Sequence, residues 1–285
     1  MRPHQWLKNV FVFTPLFFDR HTTEWCYVWP CILAFMAFCL VASGIYCFND
    51  IRDAEADRRH PVKRLRPVAS GAVGVRTAYA AMVTAWVAAF ALVAMVSNEA
   101  RWELTATLLL YIVINVAYSL KLKQIAILDV LVIATGFVLR IVVGGLATGI
   151  ILSHWIVLTT FLLALFLALA KRRDDVAIYE TLGIKARKNV ELYNMDFLNQ
   201  SIGIMGSVTI VCYILYTVSD DVVERTGSNY LYATSSFVLA GILRYMQLTF
   251  VCQRSGSPTK VLLHDHFILA CIVGWIAAFA LILYM

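Results

Sequence analysis

The chain repeatedly runs apolar for the length that a lipid bilayer demands. A helix crossing the hydrocarbon layer needs about 20 apolar residues, and stretches of that kind lie at roughly 7–22, 27–48, 75–97, 104–120, 125–149, 154–170, 200–219, 229–251 and 266–285. A chain that is 61% hydrophobic stands well above the roughly 45–50% of soluble domains. This predicts an all-α integral membrane protein. Residues 1–285 are expected to form one domain of nine transmembrane helices around a cavity open to the cytoplasm and, sideways, to lipid. The weakest of the nine is the first, because it is short and carries Lys8, Asn9 and Pro15. A half-buried amphipathic entry helix is the alternative there.

Charge sets the orientation. With the N-terminus inside, nineteen of the 24 Lys and Arg residues fall in inside segments and only Arg20, Arg101 and Arg225 fall outside. Basic residues favour the cytoplasmic side, and removing any one span would move every later loop to the wrong face. The N-terminus is therefore expected in the cytoplasm and the C-terminus outside. No small-residue cleavage pattern follows Arg2, His4 and Lys8, so this end is expected to stay in the mature protein. Seven scattered cysteines without a C-x-x-C pair read as small hydrophobes, neither a disulfide framework nor a zinc site. The net charge of +6 sits in loops between spans, which favours anionic lipid and phosphate substrates over nucleic acid.

Two inside loops, 49–74 and 171–199, are long and polar, and the chemistry is expected there. Each follows an even-numbered span, which hints at two related halves. The first opens with Asn49-Asp50-Ile51-Arg52-Asp53-Ala54-Glu55-Ala56-Asp57. If the second span continues as a helix beyond the membrane, Asp50, Asp53 and Asp57 share one face. Three carboxylates on one face repel unless a cation lies between them. Hard oxygen ligands in a wet site suit Mg2+, which takes one or two carboxylates together with substrate phosphate oxygens. His60, Lys63, Arg64 and Arg66 follow, and basic residues beside metal carboxylates make a diphosphate site. A solvated juxtamembrane loop of mixed charge is the plain alternative.

Asn49 to Asp57 resembles the first Asp-rich motif of UbiA-type prenyltransferases. The longer string from Asn49 to Gly71 is similar to the phosphoribosyltransferase branch of that superfamily, as are residues 2–9, 115–123, 128–140, 171–175, 183–193, 244–245 and 256–265. Members of the branch transfer 5-phosphoribose from phosphoribosyl diphosphate (PRPP) to a polyprenyl (decaprenyl) phosphate. The product feeds arabinose-type cell-envelope glycans. The resemblance implies a bacterial inner-membrane enzyme with Mg2+ as cofactor. Asp50, Asp53 and Asp57 would hold the metal, and Asn49 would bind substrate with them. Aromatic prenyltransferases of the superfamily carry a second D-x-x-x-D motif. Here Ile178 stands four residues after Asp174 and Tyr179 four after Asp175, so that motif is incomplete. Asp175 stands where the branch typically has Glu, and is expected to orient ribose hydroxyls or contact metal.

Other residues carry paired readings. Arg140 lies inside a span, where a charge costs about 2.5–3.5 kcal/mol on insertion scales. It is expected to meet an anionic group of PRPP or of the lipid phosphate, against a structural pair. Arg244 is balanced between the same two. Tyr118, Lys123 and Lys171 are candidates for phosphate oxygens, against interfacial anchoring. Lys8 would meet the lipid phosphate entering from the leaflet. Arg187 and Tyr193 would cap the substrate, against a solvated amphipathic face. His264-Asp265-His266 reads as an interfacial turn, not a metal site. A phosphate monoester is anionic near neutral pH, so the expected transfer needs no strong base. Two alternatives remain: a UbiA-type aromatic prenyltransferase of quinone biosynthesis, and a transporter or lipid scaffold. Carboxylates placed in a loop instead of at mid-membrane weigh against transport.

Overall fold

The computed structural model describes residues 3–19, 21–58, 63–96, 99–183, 189–253 and 258–284. Among them every regular element is helical. After a 3-10 helix, Pro3–Phe13, come α1 (Thr14–Phe18), α2 (Trp25–Arg52), α3 (Ala54–Arg58), α4 (Val75–Ala94), α5 (Arg101–Leu120) and α6 (Leu128–Thr148). The second half contains α7 (His154–Leu182), α8 (Met195–Val218), α9 (Asp220–Thr226), α10 (Ser235–Phe250), α11 (Pro258–His264) and α12 (His266–Tyr284). Seven described helices are long and apolar enough to cross a bilayer: α2, α4, α5, α6, α7, α8 and α12. Val83, Val87, Leu109, Val113, Ile204 and Val211 are exposed on them, as lipid-facing side chains should be. The chain is a multi-pass membrane protein.

Two expected spans take other forms. Residues 7–22 hold the 3-10 helix and the five-residue α1. Residues 229–251 hold a 3-10 turn, Leu231–Thr234, and then the sixteen-residue α10. The polar run 171–175, expected in a loop, lies on α7, which continues to a left-handed Gly183 cap.

The chain forms two compact units. The first comprises Met1–Lys123 and Gly136–Leu152. In it α2 packs along α4 and α5 around a core that includes Phe38, Val41, Leu104, Leu108 and Val143. The form of the N-terminal segment follows from its spacing. At three residues per turn, positions three apart align, and Trp6, Asn9 and Val12 fall on one stripe. Trp6 Nε1 donates to Ser43 Oγ (3.1 Å), Asn9 Nδ2 to Cys39 Sγ (3.1 Å), and Cys31 Sγ to Val12 O (3.5 Å). The stripe thus runs antiparallel down α2. Gly144 of α6 lies so close that a Cβ there would stand 1.9 Å from Val12 O, a backbone atom. Gly144→Ala should therefore cost about 1–3 kcal/mol, read as a lowered thermal midpoint in detergent.

The second unit comprises Gln124–Thr135 and Ser153–Met285. There α7 packs along α8, and α10 along α12, around Phe166, Leu169, Leu198, Ile202, Ile242 and Tyr245. Caps written in the sequence start the first pair. Ser153 Oγ accepts from Trp155 N, and Asn194 Oδ1 from Phe197 N.

Candidate active site

In the first unit α2 ends at Arg52, and Asp53 interrupts it for one residue. The hydrogen bonds still run with helical spacing: Asp53 N donates to Asn49 O (2.9 Å) and Asp57 N to Asp53 O (2.8 Å). The motif therefore keeps a nearly helical course, with Asp50 and Asp57 buried and Asp53 partly exposed. The Ser119 hydroxyl at the end of α5 donates to Asn49 Oδ1. Lys123 Nζ donates to both oxygens of Asp53, at 3.0 and 3.3 Å.

The basic loop reaches the same place by folding back. Val68 buries itself against Ala54 and Ala78, and Ala69 beside it is also buried. Arg58 Nε donates to Ala69 O (3.2 Å), and Gly71, at φ +81°, turns the chain towards α4. Arg66 is thereby delivered between two carboxylates. Its Nη1 lies 2.5 Å from Asp57 Oδ2 and 3.6 Å from Asp50 Oδ1. Arg64 points to solvent, and Lys63 begins the 3-10 turn Lys63–Leu65. Arg66 is thus paired with carboxylates while Arg64 is exposed.

Among the described residues no three Asp, Glu, His or Cys side chains converge as a metal cage. The residues still fit Mg2+. Two buried carboxylates already share one cation, the Arg66 guanidinium, and Mg2+ commonly uses one or two carboxylates with substrate oxygens completing its shell.

Lys8 and Tyr118 are half-buried in the same unit. Arg140 is held among groups of the first unit. It is 6% exposed, and its donors go to neutral partners: Asn9 Oδ1 (2.9 Å), Gly136 O (2.6 Å) and Tyr111 Oη (3.0 Å). The rings of Phe38, Tyr111 and Phe137 lie about it at 4.9–5.3 Å. Arg140 is a clamp that joins the N-terminal segment, α5 and α6.

The second unit carries another charged cluster on α7. Arg172, 2% exposed, forms ion pairs with Asp129 (Nε to Oδ2, 2.8 Å) and, through Nη1, with Asp175 Oδ2. Tyr193, expected to cap the substrate, is buried instead. Its hydroxyl donates to Asp129 Oδ1 (2.6 Å) and accepts from Ile127 N (2.7 Å). Burial first, and then the bond to Asp129, push this hydroxyl well above the ordinary tyrosine range. Arg173 Nε donates to Asn199 Oδ1 and its Nη1 to Thr249 O. Lys171 is half-buried, and Arg187 lies outside the described residues. Sequence reasoning missed Arg172; the i, i+3 spacing of Arg172 and Asp175 was the available signal.

Arg244 is a structural pair. Its Nη2 donates to Asp265 Oδ2 (2.8 Å), and Asp265 Oδ1 accepts from Ile268 N (3.0 Å) at the start of α12. That turn agrees with the reading of 264–266. The Arg244 bond holds the Asp265 carboxyl below its ordinary range. A depressed carboxylate stabilises above its unfolded pKa of about 3.9, and that contribution fades as pH falls through the lower folded value. Asp265→Asn should thus melt below the native chain at pH 6, and the gap should close as pH drops under about 4.

The UbiA prenyltransferase family model matches residues 11–258. A decaprenyl-phosphate phosphoribosyltransferase of Mycolicibacterium smegmatis is 34% identical, covering 100% of this chain and 91% of its own length. One from Corynebacterium glutamicum is 31% identical, covering 100% and 86%. Among solved structures, a UbiA homolog from Archaeoglobus fulgidus bound to GPP and Mg2+ superposes with a TM-score of 0.70 at 18% identity, covering 100% of this chain and 98% of that one. The fold, the carboxylate motif and these matches agree: the chain belongs to the UbiA prenyltransferase family and is a membrane transferase.

Proposed function

We propose that this chain transfers 5-phosphoribose from PRPP to a polyprenyl phosphate, releasing diphosphate, with Mg2+ as cofactor. The observation that carries the reading is the pairing inside the first unit: Asp53 with Lys123, and Asp57 and Asp50 with Arg66. These are the charges a metal diphosphate needs, here neutralising each other. On binding, the partners exchange. The carboxylates would hold the cation, and Lys123 and Arg66, with Lys63 and Arg64 of the same loop, would donate to phosphate oxygens. Bound Mg2+ supplies charge that stabilises the leaving diphosphate. The C1–O bond of the ribose breaks, and an oxygen of the polyprenyl phosphate forms the new bond to C1. Asn49, held by Ser119, orients the end of α2. Lys8 meets the lipid phosphate, Tyr118 and Lys171 assist at phosphate oxygens, and Asp175 acts at the ribose hydroxyls. Relatives named for decaprenyl phosphate support the acceptor class, and the Mg2+-bound homolog supports the metal.

The reading includes one functional domain of nine spans in a bacterial inner membrane, with Pro3–Phe18 and residues 231–250 completing the set. The N-terminus and the active site face the cytoplasm, and the C-terminus faces outside. The positive-inside asymmetry supports this. Thermal stabilisation in detergent tests the donor. PRPP should raise the midpoint only when Mg2+ is present, because the ligand binds the folded state alone. Stabilisation by a polyprenyl diphosphate and none by PRPP contradicts the reading and points to an aromatic prenyltransferase.

A further inference from the structure

The chemistry assigned to Asp175 needs a carboxylate held in one direction, and the second unit contains a device that does this. Arg172 binds Asp175 at one edge and Asp129 at the other. Asp129 is fully buried, and its other oxygen accepts from Tyr193 Oη. Tyr193 is fixed in turn by the backbone N–H of Ile127. Ile127 sits at φ +68°, in the left-handed region that a β-branched residue rarely adopts. Strain of this kind persists where the surroundings impose it, and it clusters at functional sites. The links run across 66 residues of sequence from Ile127 to Tyr193, so helix periodicity alone does not explain them.

The cluster also has an asymmetry. Asp129 and Arg172 are almost wholly buried, whereas the Asp175 side chain keeps 16% of its surface. A purely structural buried pair needs no third, more exposed carboxylate. A pair that aims a reacting group does.

We propose that Asp129, Arg172 and Tyr193 are positioning residues that hold the Asp175 carboxylate for its work on the ribose of the donor. This rests on the phosphoribosyl reading above. Asp175 is the residue that touches substrate, and the other three act through it.

A double-mutant cycle on PRPP-dependent transfer tests the proposal. Tyr193→Phe and Asp129→Asn should each lower kcat by about 10–100-fold, the range seen when the partner of a site ligand is removed, with KM for polyprenyl phosphate unchanged. Asp175→Ala should lower kcat at least as far. In the Asp175→Ala background, Tyr193→Phe should then cost nothing further. A merely structural role predicts the same loss in both backgrounds, tracking a fall in thermal midpoint, and that overturns the proposal. Because Tyr193→Phe removes one oxygen without a cavity, it keeps the test open if Asp129→Asn fails to fold. Full activity of Asp175→Ala overturns the proposal while leaving phosphoribosyl transfer standing. Absence of transfer by the native chain overturns the functional reading itself, and the proposal with it.

Discussion

Asp57→Asn is expected to lower phosphoribosyl transfer by about 10²–10³-fold, the cost of losing one electrostatic group aimed at a reacting centre. The exchange keeps the side-chain shape and removes the charge. Asp57 is buried and faces Arg66 at 2.5 Å, so among the described residues Asn leaves that guanidinium Asp50, at 3.6 Å, as its acidic partner. The variant loses a metal carboxylate and also misplaces a phosphate-binding cation. Asp53→Asn should lose less, because Asp53 is more exposed and its partner Lys123 is a flexible point charge. Initial rates across a Mg2+ titration check both. The Asp57 variant should stay slow at saturating metal, while the Asp53 variant recovers part of its rate.

Arg140→Ala should cost about 3–5 kcal/mol of stability, through the cavity left by a long buried side chain and the orphaned Asn9 and Tyr111 oxygens. A lowering of the apparent thermal midpoint by about 10 °C is the corresponding readout. Arg140→Lys should restore only part, since an ammonium does not reproduce the guanidinium fork that reaches Asn9, Gly136 and Tyr111 together. The measurement also separates two roles for this residue. If Arg140 held a substrate phosphate, the loss would appear first as a raised KM in a protein of normal stability.

Seven membrane helices were legible in the sequence because span hydropathy is a local property. The N-terminal segment was not. Asn9 looked like a reason to doubt a membrane helix, and its partners are Cys39 and Arg140, the latter 131 positions away. The helical course of residues 49–57 was legible from spacing alone, since the hydrogen bonds through Asp53 keep nearly helical geometry. The basic loop was legible only as a group. The place of Arg66 depends on Val68 finding Ala54 and Ala78, a packing detail that composition does not encode. The burial of Tyr193 was not legible for the same reason: its partner Asp129 lies 64 residues earlier. Lys171 to Asp175 was expected in a polar inside loop that carries chemistry. Here Arg172 is neutralised by Asp175 on the same helix and by Asp129 on α6, and Arg172, Arg173 and Asp174 are buried.

The most direct test of the account is the formation of labelled lipid from radiolabelled PRPP and polyprenyl phosphate by the purified chain in detergent with Mg2+. The account predicts a labelled polyprenyl product that disappears with EDTA and is reduced about 10²–10³-fold in Asp57→Asn. A chain that leaves PRPP untouched and instead prenylates 4-hydroxybenzoate from a polyprenyl diphosphate would contradict it.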